Sequence, residues 1–140
     1  MFLTEEEKKI IISILTEDLE PQFIYVFGSY AIGEARSDSD VDIAIYQDCK
    51  IDPYKLFQVS NKISLKLKRD IDLVSLREVS TVFAAQIISK SEIIYSKDES
   101  LRQNYSIKIF KEYVKLNEER EVVLNSIRED GSIYGKWFYK

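Results

Sequence analysis

The stretch from Phe27 to Ile45 reads FGSYAIGEARSDSDVDIAI, and its reading decides the fold. Before it, Phe23 to Phe27 (FIYVF) is a short aromatic and β-branched run of the kind that forms a buried strand. Gly28-Ser29 stops that strand, and Ser29 to Gly33 reads as a short helix or turn. Glycine there lets a bulky anion approach the backbone. The N–H groups that follow point towards it, and the Ser29 hydroxyl adds a donor for a phosphate oxygen. Strand character resumes at Val41 to Tyr46 (VDIAIY), expected to begin at Asp40. Asp40 and Asp42 are two apart, so they share one face of that strand. Two such carboxylates repel unless something positive lies between them, and a shared divalent cation resolves the repulsion.

Further along, Arg69 to Val74 (RDIDLV) repeats the pattern, an acidic start to an apolar strand spanning Ile71 to Leu76. Asp70 and Asp72 are both candidates for a third carboxylate. Asp72 lies deeper in the strand and is the better one. A Gly-Ser turn or a D-x-D alone is usually a plain turn or a solvated strand end. Three such features together fit a site for a metal-bound triphosphate, because Mg²⁺ takes carboxylate and phosphate oxygens. Two ions sharing three aspartates would stabilise both attacking and leaving oxygens.

Helices fill the intervals. Thr4 to Leu19 carries the capping-box pair Thr4 and Glu7, with Ile11, Ile14 and Leu15 at helical spacing; Pro21 ends it. Pro53 to Lys68 has the stripe Leu56, Val59, Ile63, Leu67. Ser80 caps a helix reaching Lys90, Glu92 to Ser96 is a fourth strand, and Ser100 to Arg128 is a long helix or helix pair. Its apolar positions are Ile109, Tyr113, Leu116, Val123 and Ile127. Packing of this helix on its own sheet is expected, with docking of a partner as the alternative. The alternation predicts an α/β (α+β) fold, a small mixed sheet of about four strands covered by helices. One domain is expected over residues 1–128 (core 1–96, helical segment 100–128), then a tail over 129–140 holding Trp137 and Phe138.

Composition narrows the chemistry. The chain has 140 residues, 45% hydrophobic and 31% charged, with a formal net charge of −4. That balance disfavours a protein devoted to gripping nucleic acid. It contains no histidine and one cysteine, Cys49. Histidine-based triads, His-ligated metals, multi-cysteine zinc sites and an intrachain disulfide are thereby excluded. Any resident metal must be held by oxygen, as Mg²⁺, Mn²⁺ or Ca²⁺ is. No membrane span or signal peptide is evident, so the cytoplasm is expected.

Gly28-Ser29, ten intervening residues and Asp40-Val41-Asp42 together resemble the G-S-x₁₀-D-x-D signature of the DNA polymerase β-like nucleotidyltransferase superfamily. Asp72 in IDLV stands where that family carries its third carboxylate. The resemblance spans roughly residues 1–96 and is strongest over 23–76. The short chain is similar to the minimal nucleotidyltransferases, including antitoxins encoded beside HEPN-domain toxins. The resemblance implies the polymerase β-like fold, Mg²⁺ on Asp40, Asp42 and Asp72, and nucleotide phosphates at Gly28 and Ser29. It also implies transfer of AMP from ATP to a tyrosine of a HEPN toxin partner. Alternatives are a non-catalytic antitoxin scaffold, or an enzyme acting on a small molecule or an RNA end. One departure stands out: many relatives have Ala-Arg-Gly where this chain has Ala31-Ile32-Gly33. Arg36 is the candidate to supply the missing phosphate contact, and Asp38 reads as a turn residue.

Overall fold

A computed structural model describes residues 1–129; the side chains of the last two of these, and the tail expected to hold Trp137 and Phe138, lie outside what is described. In chain order the elements are α1 (Glu5–Asp18), β1 (Phe23–Phe27), α2 (Ser29–Ile32), β2 (Val41–Tyr46), α3 (Pro53–Leu67), β3 (Ile71–Ser75), α4 (Thr81–Ser89), β4 (Ser91–Ser96) and α5 (Glu99–Glu129).

The sheet runs β3-β2-β1-β4. β1 pairs antiparallel with β2 and with β4, while β2 pairs parallel with β3. The parallel pair needs a crossover, and α3 provides it. The sheet is therefore mixed, with the antiparallel β4 and the parallel β3 at its edges. β1, the most apolar strand, lies inside the sheet with Phe23 to Val26 buried.

Alternation of side chains divides two cores. Ile24, Val26, Val41, Ile43, Ile45 and Leu73 pack against Ile11 and Leu15 of α1 and Val59 and Ile63 of α3. On the opposite face Phe23, Tyr25, Ala44 and Leu76 pack against Ala84, Ala85 and Ile87 of α4 and Ile109 of α5. The helices start where their chemistry directs. Thr4 and Glu7 close a complete capping box, Asp52 caps α3 ahead of Pro53, and Ser80 accepts from Phe83 N–H at 3.1 Å. α3 ends with Lys68 in the left-handed region (φ 57°), an unusual non-glycine helix end.

The long C-terminal segment is a single helix, and only its first half packs. Ile109 is buried and Tyr113 lies against the core. Leu116 and Val123, expected on the packed stripe, are 43% and 50% exposed. The sheet beneath α5 ends before they are reached, so the helical repeat continues without a surface to meet. Among the described residues no helix is long and apolar enough to cross a membrane.

Candidate active site

β1, β2 and β3 bring the sequence candidates to one end of the sheet. In register, Asp42 stands opposite Phe27 on one side and Asp72 on the other. Neighbouring strands lie about 4.8 Å apart, so the two aspartates are side by side. Both project on the face shared with Phe27, Ala44 and Val74, the face that α4 and α5 partly cover. Asp40 precedes the first β2 residue and is exposed, and Asp72 is exposed on the edge strand. Asp42 is half-buried between them.

The electrostatics of this trio follow from its placement. The Asp42 carboxyl is pushed up from an ordinary 3.8 to about 6, first by burial, then by the Asp72 charge, then by that of Asp40. Asp72, not Asp70, is thus the β3 carboxylate that Asp42 senses. Asp70 lies just outside β3, and its carbonyl accepts the Val41 N–H at 2.9 Å, fixing the register of the two acidic strand starts.

Gly28 sits directly against this cluster. It adopts φ 70°, ψ −150°, and a Cβ built there would overlap the Asp42 carboxylate oxygen and lie 3.2 Å from its Cγ. Only glycine permits both the backbone angle and the close approach. The close approach seen at Gly28 is to the Asp42 carboxylate, because the strand-to-helix turn passes under that aspartate. Ser29 opens α2, and Glu34 N–H donates to the Ser29 carbonyl at 3.0 Å.

The connection from α2 to β2 is braced from the other side. Tyr30 is buried, and its hydroxyl donates to the Arg36 carbonyl at 3.2 Å. The Arg69 guanidinium lies 5.4 Å from the centre of the Tyr30 ring and pairs with Glu7 of α1. In the sequence Arg69 stands at the head of RDIDLV with no sign of a structural partner. Nothing local links it to Glu7 or Tyr30, which are far away in the chain. Arg36 itself is exposed; its N–H donates to Ser39 Oγ at 2.8 Å. Asp38 falls in the turn that Ser39 N–H closes on the Arg36 carbonyl at 3.1 Å. Beside the carboxylates, Phe83 of α4 meets Phe27 edge-on at 6.2 Å and is 38% exposed. Nothing in the local sequence around Phe83 signals this aromatic contact, because Phe27 lies on a distant strand.

The donor set is all oxygen, and it fits a hard divalent cation. Among the described residues no group of three or more acidic, cysteine or histidine side chains is arranged to hold a metal ion by itself. Mg²⁺ asks for less, one or two carboxylates with phosphate and water completing its shell. Asp42 beside Asp72, crowded enough to raise a carboxyl to about 6, offers the pair of carboxylates such a site would use.

Residues 9–100 match the family described as polymerase beta, nucleotidyltransferase. The chain is 30% identical over 120 residues to the protein adenylyltransferase MntA of Shewanella oneidensis, covering 84% of each. It is 31% identical over 97 residues to the protein adenylyltransferase MntA of Thermococcus cleftensis, covering 66% of this chain and 96% of that one. Among solved structures, a chain of a toxin-antitoxin crystallised with AMP-PNP superimposes with a TM-score of 0.78 at 28% identity, over 86% of this chain and 98% of that one. A chain of a tri-AMPylated Shewanella oneidensis HEPN toxin in complex with MNT antitoxin gives 0.75 at 25% identity, over 90% and 99%. The acidic strand edge and the glycine turn beneath it thus sit in a chain that belongs to the polymerase β nucleotidyltransferase family and is a nucleotidyltransferase.

Proposed function

We propose that this protein transfers AMP from Mg²⁺-bound ATP to a tyrosine hydroxyl of a HEPN-domain toxin, and so acts as its antitoxin in the cytoplasm. The observation that carries the reading is the side-by-side register of Asp42 and Asp72 with Gly28 directly beneath Asp42. The relatives named protein adenylyltransferase, and the toxin-antitoxin complexes that superimpose on this fold, support the choice of donor and partner.

The roles follow from position. Asp40, Asp42 and Asp72 are the residues that would hold Mg²⁺, and the metal would there neutralise phosphate charge and polarise the reacting phosphoryl group. Gly28 and Ser29 present backbone N–H groups and a hydroxyl to the triphosphate, with Arg36 available to its outer oxygens. The acceptor oxygen bonds to the α-phosphorus as the bond from that phosphorus to the bridging oxygen breaks, and pyrophosphate leaves. In this reading Asp72, exposed at the sheet edge, takes the proton of the incoming hydroxyl. The working unit is a single domain over residues 1–128, in which the first half of α5 belongs to the fold.

ATP labelled at the α-phosphate, and separately at the γ-phosphate, tests the reading in the presence of Mg²⁺ and the neighbouring toxin. Label from the α position alone on the toxin is expected, with alkali-stable, tyrosine-linked product. Label from the γ position would make the protein a phosphotransferase and overturn the proposal.

A further inference from the structure

The face of the sheet that carries Asp42 and Asp72 holds a second feature at its other end. Along β2 the residues on that face are Asp42, Ala44 and Tyr46; along β3 and its continuation they are Asp72, Val74 and Leu76. Beyond Val74 a cleft of about 400 Å³ opens between this end of the strands and α5. Four residues of strand put it about 13 Å from the carboxylates.

Its walls have a definite chemistry. Arg77 comes from the loop after β3, and Asn104 and Lys108 from α5. Among the described residues neither cation is in an ion pair. Tyr46 and Tyr105 supply an aromatic side, their ring centres 4.8 Å apart, and Tyr46 is stacked flat on Phe23 at 4.9 Å. The Tyr105 hydroxyl is buried and has no hydrogen-bond partner.

We infer that this cleft binds a nucleoside 5′-monophosphate group, the phosphate on Arg77 and Lys108 and the base along the tyrosines. Guanidinium and ammonium together suit a phosphate, and aromatic rings suit a base of any sequence. The volume lies in the small-molecule range of roughly 300–1,000 Å³. The group comes from free AMP or from AMP already installed on an acceptor. The inference rests on the adenylyl-transfer reading only for the identity of the nucleoside.

The test uses AMP itself as the probe, with the full chain in EDTA so that the carboxylate site is not loaded. Calorimetric binding is compared between wild type and Arg77→Glu/Lys108→Glu. Both positions are exposed, so far-UV circular dichroism and the unfolding temperature should be unchanged. Wild type should bind AMP, and the variant should bind at least tenfold more weakly, with Arg77→Lys in between. Partner protein carrying AMP and unmodified partner are then compared on the same pair of proteins. Weakening specific to the AMP-bearing partner assigns the cleft to the acceptor; weakening confined to free AMP assigns it to a free nucleotide. AMP binding that is absent in wild type, or indifferent to the charge reversal, overturns the inference. So does a raised KM for ATP in the first transfer, which would make the cleft the donor's own base pocket. Because the readout is binding without Mg²⁺, failure of adenylyl transfer would leave it intact.

Discussion

Asp42→Asn should stabilise the unliganded protein while removing its activity. Asn keeps the size of the side chain and discards the charge that burial, Asp72 and Asp40 all oppose. The folded-state carboxyl at about 6 lies above its ordinary 3.8, so the folded protein binds that proton more tightly than the unfolded chain does. The stabilising contribution of the proton is complete below about pH 4 and is lost as pH rises through 6. At ~1.4 kcal/mol per pH unit the difference sets a ceiling of ~3 kcal/mol at neutral pH and above. Asp42 is only half-buried, and screening by solvent reduces this to about 1 kcal/mol. For a chain of this size that is a rise of about 4 °C in unfolding temperature. Thermal unfolding of both proteins in EDTA, from pH 8 down to pH 4, reads it directly. The variant should unfold at the higher temperature at pH 8, and the gap should close as the pH approaches 4. A variant less stable than wild type at pH 8, or a gap that does not change with pH, would refute the assignment of Asp42 to a crowded carboxylate cluster.

Gly28→Ala should abolish nucleotidyl transfer and lower stability by about 1–3 kcal/mol, since a Cβ meets Asp42 and the positive φ is strained; urea unfolding and a transfer assay together check it. Arg69→Ala should cost about 1 kcal/mol by removing the Glu7 ion pair and the Tyr30 contact, and should raise the KM for ATP more than it lowers kcat, because the α2–β2 connection loosens. Thr4→Ala should cost ~1 kcal/mol through loss of the capping box, with activity at low temperature unaffected. Ile63→Ala, wholly buried between α3 and the sheet, should cost about 2–5 kcal/mol in denaturant unfolding.

Local chemistry made most of the fold legible. The capping pair Thr4 and Glu7, Pro53 at the start of α3, and period-two aspartates ahead of apolar runs each act over a few residues, and each lies where it was expected. Boundaries differ by a residue or so, because strand ends depend on pairing; β2 starts at Val41, where the bond to the Asp70 carbonyl begins the ladder. Periodicity misled at Leu116 and Val123, since a repeat shows which face is apolar and not whether anything lies beneath it. In the site, depth in the strand already favours Asp72 over Asp70, and the strand register adds that Asp72 stands directly beside Asp42. The Arg69–Glu7–Tyr30 brace and the Phe27–Phe83 wall were hidden because they join distant segments through packing alone.

Transfer of labelled AMP from ATP to the proposed HEPN-domain partner, measured for wild type and for Asp40→Asn, Asp42→Asn and Asp72→Asn separately, tests the proposed site most directly. Each single substitution should reduce transfer by at least a hundredfold while the toxin is still bound. Full transfer by Asp42→Asn or Asp72→Asn would contradict it, because the two paired carboxylates would then have no part in the reaction.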